Sequence, residues 1–218
     1  MTTLNLVLSA NLGDEDASGG IDDGGKRPDM GVVVDTTLLS PGSHGSGQEV
    51  SAGARFTSVT IAQAATINSA DYSMVADATY ASGGTVSFIV CCQAADNAAA
   101  LVGSGSTDMD GATRAGTTAD STWNQNSVTV GTRYTVSITS AVQELVNRAG
   151  WASGNAAVVL VDTAAATTLG EWQDYRAFNH ASGGSSGGPH LDIDYTVGGV
   201  TPPRPTIVRQ AVNRASNW

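Results

Sequence analysis

The sequence is short of positive charge, cysteine, aromatics and long apolar runs, and each shortage removes a class of explanation. Lys26 is the only lysine; every other cation is arginine. Twenty acidic against ten basic residues give a net charge of −10, which argues against a nucleic-acid partner for the body of the protein. Arginine forks suit fixed, bidentate contacts, so an ordered neighbour for them is expected. The two cysteines, Cys91 and Cys92, are adjacent. On a strand they point to opposite faces, which rules against a disulfide between them and leaves small apolar side chains in a chain folding in a reducing cytosol. No apolar run approaches the ~20 residues of a membrane-spanning helix. The opening MTTLNLVLSANLGDED has no basic n-region, and Asn5 and Ser9 break its apolar run, so it reads as an edge strand rather than a signal peptide. There is no G-x-S-x-G and no Gly-rich phosphate loop after a strand, and His44, His180 and His190 lack metal-type spacing.

What remains is a chain rich in Gly, Ala, Thr and Ser with alternating apolar positions. In TVSFIVCCQA, Val86, Phe88, Val90 and Cys92 share one face. In HLDIDYTV, Leu191, Ile193, Tyr195 and Val197 face in while His190, Asp192, Asp194 and Thr196 face out. SVTVGTRYTVSI alternates at Val128 and Val130 and again from Tyr134 to Ile138. Further strands are expected at Leu4–Ser9, Gly31–Asp35, Ala54–Ile61, Ser69–Ala78, Ala156–Val161 and Glu171–Phe178. About nine short strands with Gly-rich turns predict an all-β sandwich or barrel.

One segment, VQELVNRAGWASGN, reads as a helix over about 140–149. Ser140 and Gln143 fit a capping box, Val142, Leu145, Val146 and Ala149 form an apolar stripe, and Gly150 suits a left-handed stop. A helix this short must lie on the sandwich, as a crossover between strands of different sheets. Glu144 has the chemistry of a general acid, but a glycosidase needs a second carboxylate ~5–10 Å away. Off the apolar stripe, Glu144 reads as a solvated residue pairing with Arg148, worth only ~0.3–0.5 kcal/mol. Trp151, straight after the helix, is expected to cap the core rather than stack on a sugar. Nothing here assembles an active site, so the chain is expected not to be an enzyme.

Two regions fall outside the pattern. Residues 10–30 form an acidic, Gly-rich loop, in which Asp14, Asp16, Asp22 and Asp23 could offer oxygen ligands to calcium. The spacing does not fit the twelve-position EF-hand loop, and a solvated acidic loop is the expectation. Asp108 and Asp110 make a second acidic pair. Residues 199–218 form an arm with a spacer containing Pro202, Pro203 and Pro205, three arginines and no acid. The spacer favours an extended polyproline conformation. Arg204, Ile207, Val208, Arg209, Arg214 and Trp218 are its expected contacts, on this domain or on a neighbour, and TIVRQAV could add as a strand to a sheet edge. Residues 1–198 would then be the sandwich domain.

From Arg55 to Tyr195 the chain resembles the DNRLRE-type, carbohydrate-binding-like jelly rolls of secreted bacterial proteins and phage structural proteins. The resemblance runs through ARFTSVTIAQAATINSADYSMVAD, FIVCCQAADNAAAL, RAGTTADSTWN, ITSAVQELVNRAGWASGNAAVVLV and GGPHLDIDYTV, and is most specific at the helix and GWASGN. The hexapeptide that names the DNRLRE domains is absent. The resemblance implies a jelly-roll β-sandwich used as a building block, adhesive or glycan-binding module. A freestanding module with docking arms resembles a capsid decoration, or cement, protein. The expectation is therefore a virion component assembled in the host cytoplasm, contacting the major capsid protein or another virion protein. It would form homo-oligomers, such as the trimers common among decoration proteins, without nucleic acid, membrane or cofactor. The alternative is a carbohydrate-binding or adhesive module of a fibre, spike or cell surface, for which Trp172 and Tyr175 are the candidate glycan contacts.

Overall fold

Strands begin where small and β-branched residues alternate, and they stack into two layers in the computed structural model. It describes residues 2–7, 20–21, 23–27, 31–33, 38–44, 48–79, 83–102, 114–177, 180, 182 and 184–197. In chain order the first elements are β1 (Thr2–Val7), β2 (Gly20–Ile21), β3 (Asp23–Arg27), β4 (Gly31–Val33), β5 (Leu38–Leu39), β6 (Gly42–His44), β7 (Gln48–Val59) and β8 (Thr66–Thr79). There follow β9 (Ser87–Gln93), β10 (Leu101–Val102), β11 (Gly116–Asn124), β12 (Arg133–Ser137) and the helix α1 (Thr139–Val146). The last are β13 (Asn155–Thr163), β14 (Gln173–Arg176), the single turn α2 (Gly184–Gly187) and β15 (His190–Thr196).

One sheet runs β1-β15-β8-β14-β5, with β12 also paired to β8; the other runs β11-β9-β13-β7-β3-β4, with β6 on β7. All of these pairings are antiparallel, and β2 and β10 form a separate small ribbon. The result is an all-β, jelly-roll-like sandwich. As expected, α1 is its crossover, joining β12 of one sheet to β13 of the other. The expected terminal arms lie mostly or wholly outside the described residues.

The inward faces meet in one core. Ala70, Tyr72 and Met74 of β8 and Leu191 and Ile193 of β15 oppose Phe56 of β7, Phe88 and Val90 of β9, and Val159 and Val161 of β13. The rings make edge-on contacts, Phe56 to Tyr72 at 6.4 Å, Tyr72 to Trp123 at 6.4 Å and Phe88 to Trp123 at 6.1 Å. Each such pair adds ~0.5–1.5 kcal/mol beyond area burial. The two cysteines divide as alternation requires: Cys92 joins this core, whereas Cys91 lies on the sheet's other face with Ala98, Val158 and Leu160. Both are free thiols.

Five local expectations are corrected. Val197, expected to face in with Leu191, Ile193 and Tyr195, is exposed just past the end of β15. RAGTTADSTWN lies outside the strands expected from alternation, but Gly116–Asn124 is a strand at the edge of the second sheet. Within 10–30, Asp23–Arg27 is a strand whose first four residues, Asp23 to Lys26, pair with Ser51 to Ala54, because β7 offers only small residues there and backbone pairing suffices. Val128 and Val130 do not continue β12. Thr132 N–H closes a turn on the Thr129 carbonyl at 3.0 Å, leaving Val130 exposed. The strand expected at Glu171–Phe178 is confined to Gln173–Arg176.

Candidate functional surfaces

The helix is held by different contacts from those its sequence implies. The residue before it is Ile138, with no side-chain cap, and Ser140 sits exposed inside the first turn. Gln143 does not close a capping box: its Oε1 accepts from Ile67 N–H at 2.9 Å, and its Nε2 donates to the carbonyl of Ala65 at 3.0 Å. It is a tie to the segment entering β8. The helix ends at Val146, so Ala149 is exposed and the buried stripe is Ala141, Val142, Leu145 and Val146. Trp151 is buried, and its indole N–H donates to the carbonyl of Ile61 at 3.0 Å, the core-capping role expected of it.

Glu144 is not a solvated residue paired with Arg148. Its two carboxylate oxygens accept the consecutive backbone N–H groups of Thr118 and Ala119 at 2.9 and 2.8 Å. These amides lie where β11 slips register against β9 between Gly116 and Asp120, so Glu144 takes donors that the irregular ladder leaves over. Arg148 instead donates through Nε to Asp96 at 2.7 Å.

Asp96 belongs to the turn after β9, and that turn is fixed from several sides. Asn155 donates to the Asp96 carbonyl, Ala156 N–H donates to Asn97 Oδ1, and Arg55 Nε donates to the Ala98 carbonyl. Arg114, 3% exposed, donates to the carbonyls of Ala99 and Ala100 and to Gln93 Oε1. Gly150 is needed here for space rather than for a left-handed backbone. A Cβ there would collide with Asp96 Oδ2, while left-handed backbone occurs at Gly154. Arg114 thus spreads its fork over backbone carbonyls of its own chain.

Nor does the structure assemble a sugar platform from the two aromatic candidates. Tyr175 is fully buried, stacked on Trp123 at 5.7 Å and edge-on to Phe88 at 6.3 Å, and it donates to Gln125 Oε1 at 3.3 Å. Burial pushes its phenol well above the ordinary value. Placed in the core by strand alternation, it has no face for a sugar. Trp172 is half-buried, and its backbone lies against Gly42, where a Cβ would meet its Cα at 2.6 Å. Phe178 lies outside the described residues.

Three groups converge at the far end of β8. Asp77 Oδ1 accepts from Arg176 Nε at 3.0 Å and stands 3.3 Å from His180 Nε2. Since His180 Nδ1 accepts from Ser182 N–H, the neutral ring carries its proton on Nε2 and donates it to Asp77. The set ties the segment after β14 to the first sheet. Arg133 works alongside it, donating to the carbonyls of Ser186 and Gly188; burial lowers its pKa.

The outward face of the first sheet has a different character. Asp192 of β15 lies directly opposite Asp71 of β8, and Asp194 opposite Ser69 on one side and Thr3 of β1 on the other. Ser137 pairs with Asp71 from the β12 side, with exposed Thr135 two residues along. One Asp194 carboxylate oxygen is buried without a hydrogen-bond partner among the described residues. Alternation had already turned Asp192 and Asp194 outward; the strand order that sets Asp71 beside them was the missing part.

The arm candidates Arg204, Ile207, Val208, Arg209, Arg214 and Trp218 lie outside the described residues, as do Asp14, Asp16, Asp22, Asp108 and Asp110. Asp23 lies in β3, but its side chain falls outside the description. Among the described residues no three His, Cys, Asp or Glu side chains are grouped to hold a metal ion. No family model matches this chain, and no curated protein matches it.

Proposed function

We propose that this chain is a non-enzymatic structural protein of a phage particle, decorating or cementing the capsid shell. Its partners are the major capsid protein or another virion protein together with further copies of itself, trimers being the expected order. The observation that carries the reading is the use made of the chemistry-bearing residues. Glu144, Arg148, Asp96, Arg55 and Arg114 are each engaged in holding a strand or turn, and Trp151 and Tyr175 are core. What the first sheet offers outward is a polar, acidic face, which suits a scaffold acting through surfaces rather than through a reaction. The resemblance to jelly-roll modules of phage structural proteins supports the same reading.

The test is co-sedimentation of the purified protein with assembled shells of the phage that encodes it. The proposal expects saturable binding at a fixed number of copies per shell subunit. Absence of shell binding, together with selective binding on a glycan array that Trp172→Ala abolishes, would replace it with the carbohydrate-binding alternative.

A further inference from the structure

We propose that the β1 edge of the first sheet, with the acidic face beside it, is the receiving site for the C-terminal segment 201–218 of a second copy. The inference rests on the assembly reading above and specifies the surface that would serve it. Two independent features of the sheet point to it. The first is the edge itself. β1 ends its sheet and pairs only with β15 among the described residues, in unbroken register from Thr2↔Tyr195 to Val7↔His190. An edge strand is ordinarily protected by Lys, Pro or a bulge, and TTLNLV has none of these. It can accept another strand by main-chain pairing.

The second feature is charge. Asp71, Asp192 and Asp194 share the outward face within two strands of that edge, with Thr3, Thr135 and Ser137 around them. Arg133 donates to the carbonyls of Ser186 and Gly188 and also acts on Asp192 through its charge, so the three carboxylates are only partly balanced. Like charges directly opposite on adjacent strands repel, so the Asp71–Asp192 pair gains from an arriving cation. The complementary segment is in the same sequence: Arg204, Arg209 and Arg214 with no acid, and TIVRQAV with the β-branched residues of a strand.

The spacer favours a neighbour over the chain's own face. Arg204 lies eight residues beyond Thr196, a separation that would span ~25 Å if fully extended. Asp194 and Asp192 lie two and four residues before Thr196, only ~7 and ~13 Å back along β15. A spacer of that reach favours the matching face of a second copy over the chain's own.

The experiment is sedimentation velocity on full-length chains. Thr3→Lys with Asp192→Lys removes the receiving surface without touching the core, and circular dichroism confirms that the fold is kept. Arg204→Ser, Arg209→Ser and Arg214→Ser remove the donating charges. The wild type is expected to associate as concentration rises to about 100 μM, within the range of modest interfaces. Association should weaken about tenfold or more between 0.05 and 0.5 M salt. Each variant alone should stay monomeric, and mixing the two should restore association, because one keeps the face and the other keeps the arm. A monomeric wild type, or a mixture that stays monomeric, overturns the inference, including the case in which each arm folds onto its own sheet. A wild type that stays monomeric yet coats shells overturns only this inference; one that self-associates but ignores shells overturns only the proposed function.

Discussion

Replacing Glu144 with alanine removes a carboxylate that receives two neighbouring backbone N–H groups, from Thr118 at 2.9 Å and Ala119 at 2.8 Å. Hydrogen bonds to a charged group contribute ~1.5–3 kcal/mol each where water cannot replace them. Thr118 is exposed and Ala119 half-buried, so water recovers part of the loss. The expected net cost is about 2 kcal/mol, or roughly 4–8 °C in Tm for a domain of this size. Glu144→Gln keeps one acceptor and should cost about half as much. Urea denaturation gives the free energy, and amide exchange at Thr118 and Ala119 locates it: both amides should lose protection while the β13 amides keep theirs. An alanine variant within ~0.5 kcal/mol of wild type, as for an ordinary surface position, with unchanged exchange at 118 and 119, would refute the role assigned to Glu144.

Gly150→Ala should destabilise the fold by about 1–3 kcal/mol, because its Cβ collides with the Asp96 carboxylate. In an Asp96→Ala background the same change should cost much less, and a double-mutant cycle by chemical denaturation measures the difference. Burial, reinforced by the carboxylates of Asp162 and Asp120, pushes the Cys91 thiol up from 9.0 to about 12. Below pH 9 folded and unfolded chains both keep the proton; above it only the unfolded chain releases it. Stability should therefore fall between pH 9 and 12; Cys91 supplies up to ~1.4 kcal/mol per pH unit of that slope, which Cys91→Val removes, while buried Cys92 and, from pH 10, Tyr175 add in the same sense. Ellman's reagent should find no reactive thiol in the native protein at pH 8. Asp71→Asn should raise stability by ~0.2–1 kcal/mol at low salt by ending the repulsion with Asp192, and the gain should vanish at 0.5 M salt. Adding EDTA should leave Tm unchanged; a rise in Tm with calcium that is lost in Asp14→Asn with Asp16→Asn would instead assign the metal to the acidic stretch containing Asp14, Asp16, Asp22 and Asp23.

Alternation and helical spacing were legible because burial writes them directly into the sequence. The inward Leu191, Ile193 and Tyr195, the split between Cys91 and Cys92, the crossover helix and the buried Trp151 all follow from one-dimensional periodicity. β11 was not legible: Thr117 and Trp123 are its only buried residues, and the rest of GTTADSTWN carries the polar signature of a loop. The strand at Asp23–Arg27 has no side-chain pattern to read, since it exists by pairing with the small residues of β7. The partners of Glu144 and Arg148 were missed for a different reason. Local spacing offered Glu144 to Arg148 four residues on, but the turn after β9 and the irregular edge of β11 brought better partners from 52 and 26 residues away. Tyr175 looked exposed only because the strand face that buries it depends on the other sheet. The acidic face needed strand order as well as strand identity, because Asp71 and Asp192 are far apart in sequence and become neighbours only through the β8–β15 register.

The most direct test of the proposed virion role is the protein content and density map of particles purified from the source of this sequence. The account predicts this chain in a fixed ratio to the shell subunit, with sandwich-shaped density on the shell. Particles that lack the chain, or that carry it in variable trace amounts with no ordered density, would contradict the account.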